Sequence, residues 1–193
     1  MGLAPGRDAA NVSARARRIL GIDPGSIATG WGVVEAVGGC LRYVAHGTIV
    51  SSAAESQESR LKRIYRGLTE ALSIYSPEGI SLERVFFARN AQSTLKLGQA
   101  RGVALLAAAL NQIKTYEYSA AEIKMAVVGY GQATKEQVQM MVASLLSIPA
   151  NLGADPADAL AAAICHLHRH SFESRVAQAL PGAAIEARRR GRS

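Results

Sequence analysis

The sequence predicts one α/β domain, a five-stranded mixed sheet with helices on both faces. Three observations predict it. Three strand-like runs come first and are followed by alternating helices and strands, the order of a mixed sheet with helices packed on it. Two apolar strands end on a carboxylate, Asp23 and Glu83, so acids are delivered to strand ends. The 193 residues, 49% hydrophobic, can bury one substantial core and little more.

Residues 18–23 (RILGID) form a short apolar strand that stops at the turn Pro24-Gly25-Ser26. Residues 30–37 and 41–49 are two more strands, joined by Gly38 and Gly39 as a hairpin, which completes a three-stranded meander. Over 59–75, Leu61, Ile64, Leu68, Ala71, Leu72 and Tyr75 recur at helical spacing and stop before Pro77. A strand at 80–83 and a polar loop at 84–92 lead to a Leu/Ala-rich helix over 93–110. Residues 115–118 are the fifth strand, and 120–127 are helical. After a flexible 129–131, Thr134 and Gln137 have the capping-box form for a helix to Leu146. The last helix runs from Pro156 to about His170.

The formal charge of +7 is unevenly spread. Residues 1–17 carry +2 and 173–193 carry +3, leaving only +2 on 18–172. Residues 1–17 are therefore expected to be a disordered extension and 173–193 a disordered basic tail, with the folded domain at 18–172. The tail's arginines, Arg188, Arg189, Arg190 and Arg192, are either solvated or a non-specific phosphate tether. Cys40 and Cys165 are too few and too far apart for a disulfide framework, which points to free thiols in a reducing cytoplasm. The most apolar stretch, 102–110, is far short of the roughly 20 residues that span a bilayer. The N-terminal segment has no apolar core of a secretory signal. A cytoplasmic location is expected.

Four carboxylates carry the chemical signal: Asp23, Glu83 and the pair Asp155 and Asp158. Buried carboxylates are costly when isolated, so three segments that each bring an acid to the end of an apolar element suggest a shared cation. Asp23-Pro24-Gly25-Ser26-Ile27-Ala28-Thr29-Gly30 places a carboxylate in a Gly-containing turn that lets backbone approach a metal-bound phosphate. The same pattern resembles the phosphate loop of actin-like and sugar-kinase ATPases, and an Asp closing a turn is a plainer explanation. Asp155-Pro156-Ala157-Asp158 is also what a well-capped helix start looks like, with Asp155 at the N-cap. Residues three apart share a helix face, so capping and aiming two acids at one point are compatible. His166, His168 and His170 offer at most an i, i+4 pair without a third ligand, and they, like His46, are expected to be solvated or partly packed.

Four separated segments, ILGIDPGSIATGWG (19–32), LERVFF (82–87), LGQARGV (97–103) and ADPADAL (154–160), resemble the RuvC Holliday junction resolvases in order and spacing. The resemblance covers about residues 18–170. It implies a ribonuclease H-like fold, a homodimer, and Mg²⁺-dependent cleavage of four-way DNA junctions in recombination and repair. Asp23, Glu83, Asp155 and Asp158 match the family's catalytic, metal-binding acids. Two Mg²⁺ per subunit, about 3.5 to 4 Å apart, with Mn²⁺ able to substitute, would activate water and stabilise the leaving 3′ oxygen, giving 5′-phosphate and 3′-hydroxyl ends. Phe86 matches an aromatic that contacts unpaired bases near the junction centre. Lys124 and Lys135 match basic residues facing the scissile strand, and Arg89 in the same loop as Phe86 is assigned to DNA binding with them. Ile27 and Trp31 depart from the family, which often has Arg and Tyr there; the first puts a phosphate contact in doubt. The family further implies cooperation with the branch-migration helicase complex of RuvA and RuvB. The apolar faces of the 93–110 helix suit burial against a partner subunit, since a two-fold dimer places two sites for symmetric nicks, or full burial in the chain's own core. Competing readings are a ribonuclease H-like nuclease for structured RNA, a junction-binding scaffold without chemistry, and an actin-like ATPase. The last would need a second domain that this length cannot supply.

Overall fold

A computed structural model describes residues 16–52, 54–84, 91–149 and 151–179. The elements are β1 (Arg17–Asp23), β2 (Ala28–Val37), β3 (Cys40–Val50), α1 (Gln57–Tyr75), β4 (Gly79–Glu83), α2 (Ala91–Leu110), β5 (Lys114–Tyr118), α3 (Ala120–Val128), α4 (Lys135–Leu146) and α5 (Ala154–Ala179). The strand order is β3-β2-β1-β4-β5. β1–β2 and β2–β3 are antiparallel, whereas β1–β4 and β4–β5 are parallel. Gly38 and Gly39 make the β2–β3 turn with φ of 59° and 86°, left-handed values that a two-residue hairpin of the I′ kind requires and glycine adopts without a Cβ clash.

Side chains alternate across the sheet, so each strand feeds two cores. Leu20, Ile22, Val33, Ile80 and Leu82 face α1 and α2, where Ile64, Leu68 and four alanines of α2 cover them. Ile19 and Val34 face α5, which packs with α3 and α4 through Leu160, Ile164, Val127 and Val142. α5 lies close to the sheet because glycines make room. A Cβ on Gly21 would stand 1.8 Å from the Ala159 carbonyl oxygen, and one on Gly32 would stand 2.5 Å from Leu160 Cγ. The buried Ser81 hydroxyl donates to the Ala162 carbonyl oxygen at 2.7 Å, pinning the same helix to β4.

Three expectations are corrected. α5 begins at Ala154, with the Ala157 N–H donating to the Gly153 carbonyl oxygen at 3.2 Å, so Asp155 lies inside the first turn and is not its N-cap. The helix continues to Ala179, so the start of the expected disordered tail at 173 falls within it. His166 is buried: its ring lies 3.9 Å from that of Tyr116, centroid to centroid, and its Nδ1 shares a 2.7 Å hydrogen bond with the Tyr118 hydroxyl. Burial, reinforced by the neighbouring His170, Arg17 and Lys114, pushes its pKa down to about 4, so it is a neutral core group. No helix among the described residues is long and apolar enough to cross a membrane.

Candidate active site

The acids meet because of strand direction. β1 and β4 run parallel with Ile22 opposite Leu82, so the next residues, Asp23 and Glu83, leave adjacent strands at the same level and on the same face. That face is the one covered by α5. Asp23 pairs with Gly30 on β2, and a Cβ on Gly30 would come within 2.2 Å of the Asp155 carbonyl oxygen. The first turn of α5 thus rests on the backbone beside Asp23, and Asp158 follows one turn later. The turn after Asp23 is itself held: the fully buried Thr29 hydroxyl donates to the Gly25 carbonyl oxygen at 2.8 Å.

α4 and α3 close the site with cations. Lys135, the first residue of α4 after the Thr134 cap, donates to Asp158 Oδ2 at 2.6 Å. Glu83, Lys124, Lys135 and Asp158 line one cavity of about 260 Å³ with Ile123 and Val138. The charges are mutually strained. Burial, then repulsion from Asp158, Asp155 and Glu83, pushes the Asp23 pKa up to about 7, with Lys135 opposing. Burial and then Asp158 raise Glu83, against Lys124 and Lys135. The Lys135 ammonium is in turn held above its ordinary value, first by its hydrogen bond to Asp158. Half-buried acids that repel one another favour the charged state only when a cation joins them.

The donor set is carboxylate oxygen without Cys or His, which suits a hard divalent ion. Among the described residues no three ligating side chains are close enough to hold a metal. Charge compensation here comes from the Lys135–Asp158 ion pair. Phe86 and Arg89 lie outside the described residues. Ile27 is exposed beside the site, and its carbonyl oxygen accepts from the Ser51 N–H at 2.7 Å. Trp31 is on the opposite face of the sheet, with its ring 5.6 Å from that of Tyr75. One residue that sequence reasoning passed over is Arg101, within the LGQARGV segment. It donates to the Glu83 carbonyl oxygen at 2.7 Å and pairs with Glu117 at 2.6 Å, holding the end of β4. A larger apolar groove of about 780 Å³ between α3 and α5, with Met125 and Phe172, contains none of the four acids.

The family model for crossover junction endodeoxyribonuclease RuvC matches residues 19–166. A crossover junction endodeoxyribonuclease RuvC from Pelobacter propionicus is 49% identical over 164 residues, 85% of this chain and 93% of that one. Among solved structures, Thermus thermophilus RuvC in complex with a Holliday junction substrate superposes with a TM-score of 0.77 at 33% identity, covering 81% of this chain and 96% of that one. The yeast mitochondrial Holliday junction resolvase Ydc2, 13% identical with a TM-score of 0.59 over 79% of this chain and 78% of its own, shares the fold. The five-stranded mixed sheet is therefore the ribonuclease H-like sheet of these resolvases. The strand-end acids, the helix that crosses the sheet above them and the match over most of both chains agree: this chain belongs to the RuvC family of crossover junction endodeoxyribonucleases.

Proposed function

We propose that the protein resolves four-way DNA junctions by paired, symmetric nicks that leave 5′-phosphate and 3′-hydroxyl ends, acting in recombination and repair. Asp23, Glu83, Asp155 and Asp158 are its catalytic carboxylates, and the observation that carries this reading is their convergence from three separated segments in a chain of this family. Nucleases of the family depend on a divalent metal. Here the four acids would hold Mg²⁺, two ions per subunit with Mn²⁺ able to replace them, and the bound ions would lower the pKa of the attacking water and stabilise the leaving oxygen.

The chain's own residues do the remaining work. Lys135 and Lys124 flank the acids in one cavity and offset the negative charge of an approaching phosphodiester. Lys135 is paired with Asp158, and with a cation held by the acids it would be free to turn to the phosphate. Arg101 keeps the Glu83 main chain in place. Phe86 is assigned to stacking on bases opened at the junction centre, and Arg89 to DNA binding.

Symmetric cutting needs two sites, and α2 offers the dimer surface. Leu95, Leu106 and Leu110 are exposed, and a Cβ on Gly98 or Gly102 would meet nothing within 4 Å. Glycines four apart between exposed leucines let another helix approach closely. The homodimer works in the cytoplasm with the RuvA–RuvB branch-migration complex.

The test compares nicking of a synthetic four-way DNA junction, linear duplex and structured RNA in Mg²⁺, and junction affinity in Ca²⁺, for the wild type and for Asp23→Asn, Glu83→Gln, Asp155→Asn and Asp158→Asn. Loss of nicking with retained junction binding is expected for each variant. Retained nicking in any two would remove the shared metal site, and preferential cutting of RNA would move the substrate to that class.

A further inference from the structure

A second basic surface lies on the other side of the sheet from the acids. Along α1, Ser59, Lys62, Arg63, Arg66, Gly67 and Glu70 fall at i, i+3, i+4, i+7, i+8 and i+11, a single helical stripe. With Ile49 and Val50 of β3 this stripe lines a groove of about 530 Å³. Three cations there face one carboxylate. Arg63 is engaged by Glu55 at 2.9 Å, whereas Lys62 and Arg66 are exposed and have no ion-pair partner among the described residues. An edge strand and a helix that fold against each other need no such charge.

The groove opens at the end of the sheet where the acids stand. β3 finishes at Val50, which pairs with Ala28, the first residue of β2, and the Ser51 N–H binds the Ile27 carbonyl oxygen in the turn that follows Asp23. α1 starts at this same end, and Gly67 meets the Ile49 side chain, so Lys62 lies closer to the rim than Gly67 does. From β1 to β3 is two strand spacings, about 10 Å within the sheet, and the groove lies on its other side, so backbone reaching it would be several phosphates from the cut. Lys124 and Lys135 stand beside the acids on the α5 side, whereas Lys62 and Arg66 lie on the α1 side of the sheet in a groove that contains none of the acids.

We infer that the α1–β3 groove carries the phosphate backbone of a DNA arm leaving the cleavage site, with Lys62 and Arg66 as its contacts. The inference rests on the junction-cutting reading and adds a path for the DNA beyond the cut. Exposed Lys and Arg on a wet groove act on phosphate charge and not on base sequence, so they contribute affinity and position, not specificity.

The experiment pairs Lys62→Gln/Arg66→Gln with junctions whose phosphates are made neutral, one at a time, as methylphosphonates on either side of the cut. Affinity is read in Ca²⁺ across a salt series and nicking in Mg²⁺. The double variant should bind the unmodified junction roughly tenfold more weakly, with the salt slope reduced by about 1 for each cation. Neutral phosphates about three to five positions from the cut should weaken wild-type binding similarly and add nothing in the variant, because the contact is already gone. Saturating enzyme should restore its nicking, and Lys62→Arg/Arg66→Lys should bind as the wild type does. An unchanged salt slope, additive losses with the modified phosphates, or nicking lost even at saturation would each overturn the groove as an arm track. A wild type that neither binds nor cuts the junction would instead remove the function proposed above, and this inference with it.

Discussion

Replacing Asp23 by Asn should make the metal-free protein more stable at alkaline pH, although it removes an acid proposed above to be catalytic. Burial and three neighbouring carboxylates raise the Asp23 pKa from 3.8 to about 7. Each unit is worth about 1.36 kcal/mol, so forcing the ionised form into the fold costs at most about 4 kcal/mol above pH 7. The sign follows from linkage. With the folded pKa above the unfolded one, the stability due to protonated Asp23 is complete below pH 3.8 and is lost as pH rises through 7. The amide of the Asp23→Asn variant stays neutral throughout. The variant should therefore exceed the wild type by on the order of 2 to 4 kcal/mol at pH 8, with the gap closing toward pH 4. His166, lowered to about 4, has the opposite slope, because its neutral form stabilises the fold above pH 6.5 and that contribution fades as pH falls toward 4. It is present in both proteins and cancels in the difference. Urea denaturation in EDTA at pH 8, 7, 6 and 5 measures the gap. Millimolar Ca²⁺ should then stabilise the wild type and do little for the variant. A gap that does not change with pH, or a variant less stable at pH 8, would show that the four acids do not share a strained site.

Two further substitutions probe how the site is built and duplicated. Gly30→Ala places a methyl group against the backbone of Asp155, so it should cost about 1 to 3 kcal/mol in denaturant melts and reduce nicking at temperatures where the fold is intact, as α5 is displaced from Asp23; wild-type nicking in a folded variant would separate the α5 position from the chemistry. Leu106→Asp puts a charge on the exposed face of α2 and should give monomers in sedimentation velocity whose two nicks are no longer coupled, a loss of at least about 2 kcal/mol at the interface; an unchanged dimer would place the interface elsewhere.

What was legible in the sequence was local. The runs ending on Asp23 and Glu83 were legible as strands because a short apolar run followed by a turn or polar loop is a short-range signal, and Thr134 with Gln137 forms both halves of the capping box. Ser119 and Glu122 form a second such box at the start of α3, and the same S-x-x-E signature stood in the chain unused. The misread features depend on partners far away in sequence. His166 sits in a run of alternating histidines that suggests a solvated helix end, yet Tyr116 and Tyr118 point from β5 toward it across 48 residues or more. Arg101 looks like one more surface cation on α2 until β4 and β5 bring Glu83 and Glu117 beneath it.

The small residues of α5 are where fold and chemistry meet. Ala157, Ala159, Ala161, Ala162 and Ala163 are all buried, and the sheet meets the helix through main-chain atoms of Ala159, Ala162 and Ala163. Beneath them, Gly21, Gly30 and Gly32 bring no side chain. Burying larger side chains there would yield more apolar contact area and a stronger core on that ground alone. The chain instead keeps a close, backbone-on-backbone approach, which lowers Asp155 and Asp158 to the level at which Asp23 and Glu83 leave their strands. A larger side chain at any of these three glycines would lift the helix and separate the two pairs of acids, relieving both the burial and, after it, the repulsion that raise the Asp23 pKa. The contact area given up in the core and the repulsion among the acids thus have one origin, the close approach of α5 to the sheet.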